Sequence, residues 1–546
     1  MFFLEGWRRV VEAVLVVAPG GGRIWSGPPR RRCRVRVAQV GNVLCRPLAV
    51  GGQRASSGGC ELPIRAAVHC QSVPRWGHQD ASLRAWRIHM ALVSLARKLV
   101  DDGPMKGETN GQSVKKGSPH LSRRQFLTFG LVGAGAISLS QRARSRAAVS
   151  GPNDRITLGF IGMGRQNRSL LGGFLRKAGT QVVAVCDVDT TRREDARQRV
   201  EQFYAQGKRS GTYHGCAAYR DFRELLARSD VDAVVIATPD HWHALQVVAA
   251  AAAGKDIYCE KPLSLTIAEA RAMVTAVRRY DRVLQTGSQQ RSSAEFRRAC
   301  ELVRNGRIGR VERVVVGVGG PSRWCDLPEE PLEPGLDWDL WLGPAPWRPY
   351  NSILSPRGVH DHFPHWRRYR EYSGGAMTDW GAHHFDIAQW GLGMDGSGPV
   401  EVIPPDEPTS GTGVRFRYAN GVEVVHDSSQ GGVRFLGTDG WIFVDRGKFE
   451  AHPESVAIEP LGPGAVRLYY SDDHLQNWLD CIRTRRRPIC DVEVGARSVT
   501  VCHLGNLAYW HGRRLRWDPE RERFLGDQEA NRWLDRPMRD PWKLVV

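Results

Sequence analysis

Ile156-Thr-Leu-Gly-Phe-Ile161-Gly162-Met163-Gly164-Arg165-Gln-Asn167 decides the reading of the fold. A short β-branched, apolar run reads as a buried parallel strand. It breaks into glycines, and a helical pattern follows over 169–177. That is the strand–turn–helix of a dinucleotide-binding βαβ unit. Gly162 permits the tight turn, and Gly164 lets the backbone approach a pyrophosphate. The helix N-terminus offers free N–H groups and a positive dipole end to that anion. Asn167 stands where the fingerprint has its third glycine. That position serves helix–strand packing more than phosphate contact, so binding is expected to survive the change.

The next predicted strand, 181–186, ends in Asp187, 25 residues after Gly162. An acid there accepts hydrogen bonds from the adenosine ribose hydroxyls and repels a 2′-phosphate, which favours NAD over NADP. Arg192 and Arg193 follow closely and keep NADP open as an alternative. The α/β alternation then persists, with helices over 192–206 and 221–228. A strand over 233–237 ends in Thr238-Pro239-Asp240-His241-Trp242-His243, and a strand over 256–259 runs into Glu260-Lys261-Pro262. Helices over 244–253 and 267–279 and a strand over 283–286 complete the unit. Polar residues at the carboxyl ends of such strands line the ligand crevice. Gly287-Ser-Gln289-Gln-Arg291 joins this half to the next.

Beyond a helix over 293–304 and a strand over 311–318, an irregular stretch over 320–373 is loaded with Pro, Trp and Tyr. Loops that long are usually functional. Most of its aromatics are expected to pin the loop to the core, while Trp366 and Tyr372 are expected at the substrate. Gly374-Gly375-Ala-Met-Thr-Asp379-Trp-Gly-Ala-His383-His384-Phe-Asp386 follows. Helical spacing puts Asp379, His383 and Asp386 on one face, with His384 pointing elsewhere. Acid/base chemistry, metal ligation and a buried polar network that staples the helix all fit this pattern. Metal ligation lacks thiols or a third histidine at a suitable spacing, so no metal is expected.

Ala-Thr-Pro-Asp-x-x-His, Ala-Gly-Lys, Glu-Lys-Pro and Gly-Gly-x-x-x-Asp-x-Gly-x-His-x-x-Asp together resemble the Gfo/Idh/MocA oxidoreductases over roughly 154–546. The resemblance implies that Thr238, Pro239 and Asp240 contact the cofactor near its nicotinamide half. It implies that Lys261, before a frequently cis proline, points at the substrate. It makes His383 the acid/base and gives Asp379 a substrate hydroxyl. Hydride loss from a carbinol carbon needs a proton removed from its hydroxyl, which suits histidine, and an ammonium stabilises the developing alkoxide. The expected cofactor shell is Gly162, Met163, Gly164, Arg165, Asp187, Thr238, Pro239, Asp240, His243, Glu260, Lys261 and Gln289. Arg291, Trp366, Tyr372 and His384 are the expected substrate contacts.

Past residue 391 the sequence is strand-like at 400–403, 413–418, 422–425 and 441–444, with Asn420-Gly421 and Asp439-Gly440 as hairpin signals. The fold class is α/β: an N-terminal Rossmann domain over 151–287 and an α+β domain with an open, largely antiparallel sheet over 288–512. Helices are expected over 472–485 and 494–511, and a tail over 513–546 packs back on the fold. The family often oligomerises through that sheet, so a homo-oligomer is expected.

The formal charge of +19 belongs to the leader. Residues 1–150 carry 24 Lys+Arg and 7 Asp+Glu, whereas 151–546 carry 53 and 51. Overall composition therefore gives no support for a basic face on the folded part, and no nucleic-acid partner is expected. Charges at Glu5, Arg8, Arg9 and Glu12 interrupt the first apolar stretch, so no stable membrane span is expected. Ser122-Arg123-Arg124-Gln-Phe126-Leu127 precedes a Gly/Ala-rich apolar segment and resembles a twin-arginine export signal. Residues 105–150 are thus read as signal and linker. Translation is expected to start at Met105, with 1–104 outside the native product. The expected activity is hydride transfer between a sugar or polyol and tightly bound NAD, in an exported protein. A glycosidase working by transient oxidation, and a non-catalytic sugar-binding protein, are the alternatives.

Overall fold

The structure is a computed structural model that describes residues 155–546; the twin-arginine segment and the 1–104 extension lie outside the described residues. Six strands form the first sheet: β1 (Ile156–Ile161), β2 (Thr180–Cys186), β3 (Ala217–Tyr219), β4 (Ala233–Ile236), β5 (Asp256–Cys259) and β6 (Leu284–Thr286). They run parallel in the order β3-β2-β1-β4-β5-β6, the doubly wound Rossmann arrangement. The strands are nearly continuously apolar because helices cover both faces. Among those helices are α1 (Arg165–Leu175), α2 (Thr190–Phe203), α3 (Asp240–Ala252) and α4 (Ile267–Arg279).

The turn after β1 shows why its residues are what they are. Gly162 sits at φ +81, and a Cβ there would lie 2.7 Å from Thr238 Cγ2. Gly164 N-caps α1, and a Cβ there would meet nothing within 4 Å, so the backbone faces open space. Asn167 is fully buried and donates through Nδ2 to the carbonyl of Ile161 at 3.0 Å and to that of Val235 at 3.4 Å. A side-chain staple to two strands thus does the packing work of the missing glycine.

The second sheet has nine strands: β7 (Val311–Gly317), β8 (Glu401–Ile403), β9 (Arg415–Arg417), β10 (Glu423–Asp427), β11 (Gly432–Gly437), β12 (Trp441–Asp445), β13 (Lys448–His452), β14 (Leu515–Asp518) and β15 (Arg523–Phe524). Their order is β13-β12-β11-β7-β10-β9-β8-β14-β15, antiparallel apart from the parallel pair β7 and β10. Its outer face carries ion pairs such as Arg313–Glu423 and Arg417–Glu401. The tail, expected only to pack on the fold, supplies two of these strands. Its last residues, Trp542 among them, lie against the Rossmann core.

The second domain opens with α5 (Ala294–Arg304), and two helices expected in that domain return to the first. Trp478 and Leu479 of α8 (His474–Thr484) lie in the core beneath α1. The 20-residue α9 (Val492–His511) runs through both cores. Val492, Ala496 and Val499 pack with the Rossmann sheet, and Val501, Cys502, Leu504 and Leu507 with the mixed sheet. All eight cysteines of the described residues are free thiols. Among the described residues no helix is long and apolar enough to cross a membrane.

Arg291, expected at the substrate, is corrected to a structural role. It is 2 % exposed and donates to both carboxylate oxygens of Asp386 at 2.8 Å and to those of Asp395 at 2.7 and 3.0 Å. Asp386 also accepts from Ser498 Oγ on α9 at 2.7 Å. Breaking a buried ion pair by removing one partner costs about 3–5 kcal/mol, because the other charge stays behind. Arg291→Met is therefore expected to lose about that much in urea unfolding. A loss below about 1 kcal/mol, the scale of an exposed pair, would contradict this assignment.

Candidate functional site

Two adjoining cavities lie at the carboxyl ends of the parallel strands. The first is lined by Gly162, Gly164, Arg165, Asp187, Thr238 and Pro239. The second, of about 290 Å³, is lined by Asp240, Glu260, Lys261, Gln289, Asp379 and His383. Gln166, Thr238, Trp366 and Arg367 border both, so they form one continuous cleft.

At the far end of the first cavity, Asp187 accepts from the backbone N–H of Met163 at 2.5 Å and of Asp189 at 2.8 Å. Burial raises its pKa, against the pull of Arg192 and these N–H groups. Met163 itself is buried behind the turn and contributes this N–H rather than a lining side chain. The two arginines that kept NADP open are held in hydrogen bonds to the protein, although Arg192 also borders the first cavity. Arg193 donates to the carbonyl of Asp187 at 2.8 Å. Arg192 is buried and donates to Ser355 Oγ and to the carbonyls of Pro356 and Gly358.

Those acceptors belong to the long irregular stretch, which crosses the cleft as a cover. Arg168 of α1 binds the carbonyl of His360 and the carboxylate of Asp361. The Arg165 guanidinium stacks 4.2 Å from the centroid of Phe363. Trp338, Trp341, Tyr350, Trp366, Tyr369 and Tyr372 form the loop's own core, whereas Trp324 and Trp347 are exposed rather than pinning it. Tyr372 is 0 % exposed inside that core and does not reach the cavity, which corrects its expected substrate contact. Trp366 does line both cavities.

In the second cavity, Lys261 Nζ donates to Asp379 Oδ1 at 2.7 Å and to its carbonyl at 2.9 Å. The Lys261–Pro262 peptide is cis. Burial works to raise the Asp379 pKa, but Lys261 and Arg367, 3.6 Å away, outweigh it and hold the carboxylate ionised. His383 is 3 % exposed, and no described residue hydrogen-bonds its ring; Nδ1 is buried without a partner. Burial, then the charges of Lys261 and Arg446, keep its pKa well below the ordinary histidine value. It is a neutral imidazole at pH 7.

The expected single helical face divides. Asp379 ends α6 (Ala376–Asp379), His383 lies in α7 (Gly381–Leu392), and the two meet at Trp380. Asp386 is the stapling residue and stays out of the cavity. His384 is corrected likewise. It turns its Nδ1 to the carbonyl of Gly317 at 2.9 Å, and its Nε2 lies 3.7 Å from Asp445. His243 sits between the carbonyls of Pro262 at 2.8 Å and Thr238 at 3.0 Å. It therefore ties together the two strand-end loops and lines neither cavity. Asp240 accepts from Ser373 Oγ at 2.6 Å, and burial pushes its pKa up to about 7. Buried Glu260, its pKa raised by burial, accepts from Gln166 Nε2 at 2.9 Å. Sequence reading missed Gln166, Arg367, Trp380 and Arg446; only Gln166, inside the glycine-turn motif, carried a local signal. Among the described residues no group of three or more His, Cys, Asp or Glu is placed to hold a metal ion.

Residues 156–288 match the family model described as "Oxidoreductase family, NAD-binding Rossmann fold", and 318–544 match "Oxidoreductase family, C-terminal alpha/beta domain". The chain belongs to the Gfo/Idh/MocA oxidoreductase family. Its similar relatives include the 1,5-anhydro-D-fructose reductase of Ensifer adhaerens, 27% identical over 51% of this chain and 65% of that protein. The myo-inositol 2-dehydrogenase of Thermotoga maritima is 28% identical over 42% and 60%. Glycosyl hydrolase family 109 protein 2 of a Shewanella species is 35% identical over 27% and 35%. The chain thus spans 35% to 65% of the length of these curated relatives. Among solved structures, the WlbA dehydrogenase of Bordetella pertussis aligns with a TM-score of 0.47 at 20% identity, over 67% of this chain and 98% of that one.

The cleft fits the family's NAD: an open glycine turn at a helix N-terminus, an acid at the second strand, and unpartnered buried Gln289 Oε1 and His383 Nδ1 beyond it. Hydrogen bonds to a charged group contribute about 1.5–3 kcal/mol. Asp187→Ala is therefore expected to raise the Kd for NAD by about tenfold to a hundredfold in a fluorescence titration. An unchanged Kd would remove Asp187 from the nucleotide site.

Proposed function

We propose that the protein is an NAD-dependent oxidoreductase acting on a sugar or polyol, with the cofactor kept bound between turnovers. The observation that carries this is the unpartnered neutral His383 beside the Lys261–Asp379 pair, in a cavity continuous with the nucleotide cleft. Gly162, Gly164 and Asp187 would hold the dinucleotide, and Thr238 and Pro239 its other half. When bound, NAD would supply a hydride acceptor for the carbinol carbon that can also give the hydride back. His383 takes the hydroxyl proton, the Lys261 ammonium stabilises the alkoxide charge, and ionised Asp379 orients the lysine and accepts from a neighbouring hydroxyl. The cover over 354–367 excludes water and supports cofactor retention. Retention would also suit work outside the cytoplasm, which the twin-arginine motif supports.

A second reading is glycoside cleavage through transient oxidation, elimination and hydride return. It is supported by the 35% identity to a glycosyl hydrolase family 109 protein. A sugar-binding protein without turnover is the reading of another class.

General acid/base groups contribute about 10²–10⁴ in rate. Lys261→Ala and His383→Ala are each expected to lower hydride transfer within that range while NAD still binds. A loss of less than about tenfold would be too small for the role given to His383. The base must be unprotonated, so kcat/KM rises as pH climbs through the His383 pKa and is flat above it. Because that pKa is lowered, the acid limb is expected below pH 6.5.

Gel-filtered holoprotein is expected to turn over repeatedly on paired sugars, or on aryl glycosides for the second reading, with no added nucleotide. Activity only with stoichiometric NAD would end the retention proposal. The absence of any turnover would leave the binding protein. The same column reads assembly, since elution as a monomer counts against a homo-oligomer built through the sheet face.

A further inference from the structure

The charges around the second cavity do not pair off evenly. Lys261 and Arg367 both face Asp379, at 2.7 and 3.6 Å. The other two carboxyls, Asp240 and Glu260, are buried against Ser373 and Gln166. Arg446 is the third cation. It is the exposed tip of the turn between β12 and β13, and no described carboxylate lies within ion-pair distance of it. Its guanidinium carbon lies 4.7 Å from the Trp380 ring centroid. That indole is 43 % exposed at the cavity wall, and its centroid is 6.1 Å from the His383 ring.

We propose that the substrate is an anionic sugar, bearing a carboxylate or a phosphate, and that Arg446 is the residue that reads the anion. This rests on the oxidoreductase reading for the position of the reacting carbon at His383. A pyranose with its reacting carbon at His383 lies beside Trp380 and carries its substituent to Arg446, which sits over the indole ring. The planar guanidinium binds carboxylate and phosphate oxygens two at a time. Asp379 does not compete for Arg446, because Lys261 and Arg367 already hold it. The Arg446 backbone N–H donates to Asp445 Oδ1 at 2.7 Å, and Asp445 Oδ1 lies 3.7 Å from His384 Nε2, which places the turn beside the helix that bears His383.

The test is calorimetric titration of NAD-loaded holoprotein with D-glucuronate, D-glucose 6-phosphate and D-glucose. One acidic probe is expected to bind at least about tenfold tighter than glucose, and which one names the anion. Arg446→Ala should erase that advantage, Arg446→Lys should keep part of it, and Arg446→Glu should reverse it. The residue lies on an exposed turn, so the variants fold. Glucose binding as tightly as both acids, no binding of either acid, or an advantage that survives Arg446→Glu would each overturn the inference. Nicotinamide absorbance, followed in the same samples, separates the two claims. Arg446-dependent binding of the acid without any reduction keeps the anion site and sinks the oxidoreductase reading. Reduction by neutral sugars alone does the opposite.

Discussion

Lys261 stands at the end of a parallel strand in one domain, and Asp379 at the end of a short helix in the other. Their ion pair, 2.7 Å long and mostly shielded from water, is where the two halves of the chain become one site. A buried pair contributes little to stability once desolvation is counted. Its effect here is orientation. The ammonium is fixed between a carboxylate and a carbonyl, aimed into the cavity, and its charge helps keep His383 neutral. A small displacement of either domain would separate the groups, so the site depends on how rigidly the halves are docked.

That rigidity comes from apolar burial and from one charged staple. Helix α9 gives its first turns to the Rossmann core and its later turns to the mixed-sheet core, so neither sheet can shift without disturbing it. Arg291 ties the linker after β6 to Asp386 and Asp395. The loop across the cleft obeys the same logic on a smaller scale. Its aromatics make a private core, and arginines of α1 and α2 bind its carbonyls. The cover is held from the Rossmann side and lies over the cleft that contains Lys261 and Asp379, where partial burial strengthens their mutual attraction.

The nucleotide half was legible in the sequence because its signals are local. A glycine at φ +81 and an acid at the end of the second strand act within a single βαβ unit, so spacing along the chain is spacing in space. The Asp379–His383 pairing was legible for a similar reason, since helical periodicity survives the junction at Trp380. The same periodicity misassigned Asp386. Helical spacing says which side chains are neighbours, but not what waits opposite them, and the partner here is Arg291, 95 residues earlier. β11 and β13 were missed because a glycine-flanked strand and a charged edge strand carry weak alternation.

By itself the sequence determined the doubly wound sheet, the glycine turn, the acid at the end of the second strand and the residue types of the Lys261, Asp379 and His383 cluster. Each follows from backbone constraints or periodicities that operate over a few residues. The tertiary structure alone decided which polar residues share a cavity and which are consumed by pairing. It removed Arg291, Tyr372, His384 and His243 from the cleft and brought in Gln166, Arg367, Trp380 and Arg446. A side chain's availability depends on its charge partners and its burial. Both are set in large part by segments distant along the chain, as Asp386 is from Arg291, 95 residues away, and no local pattern encodes them.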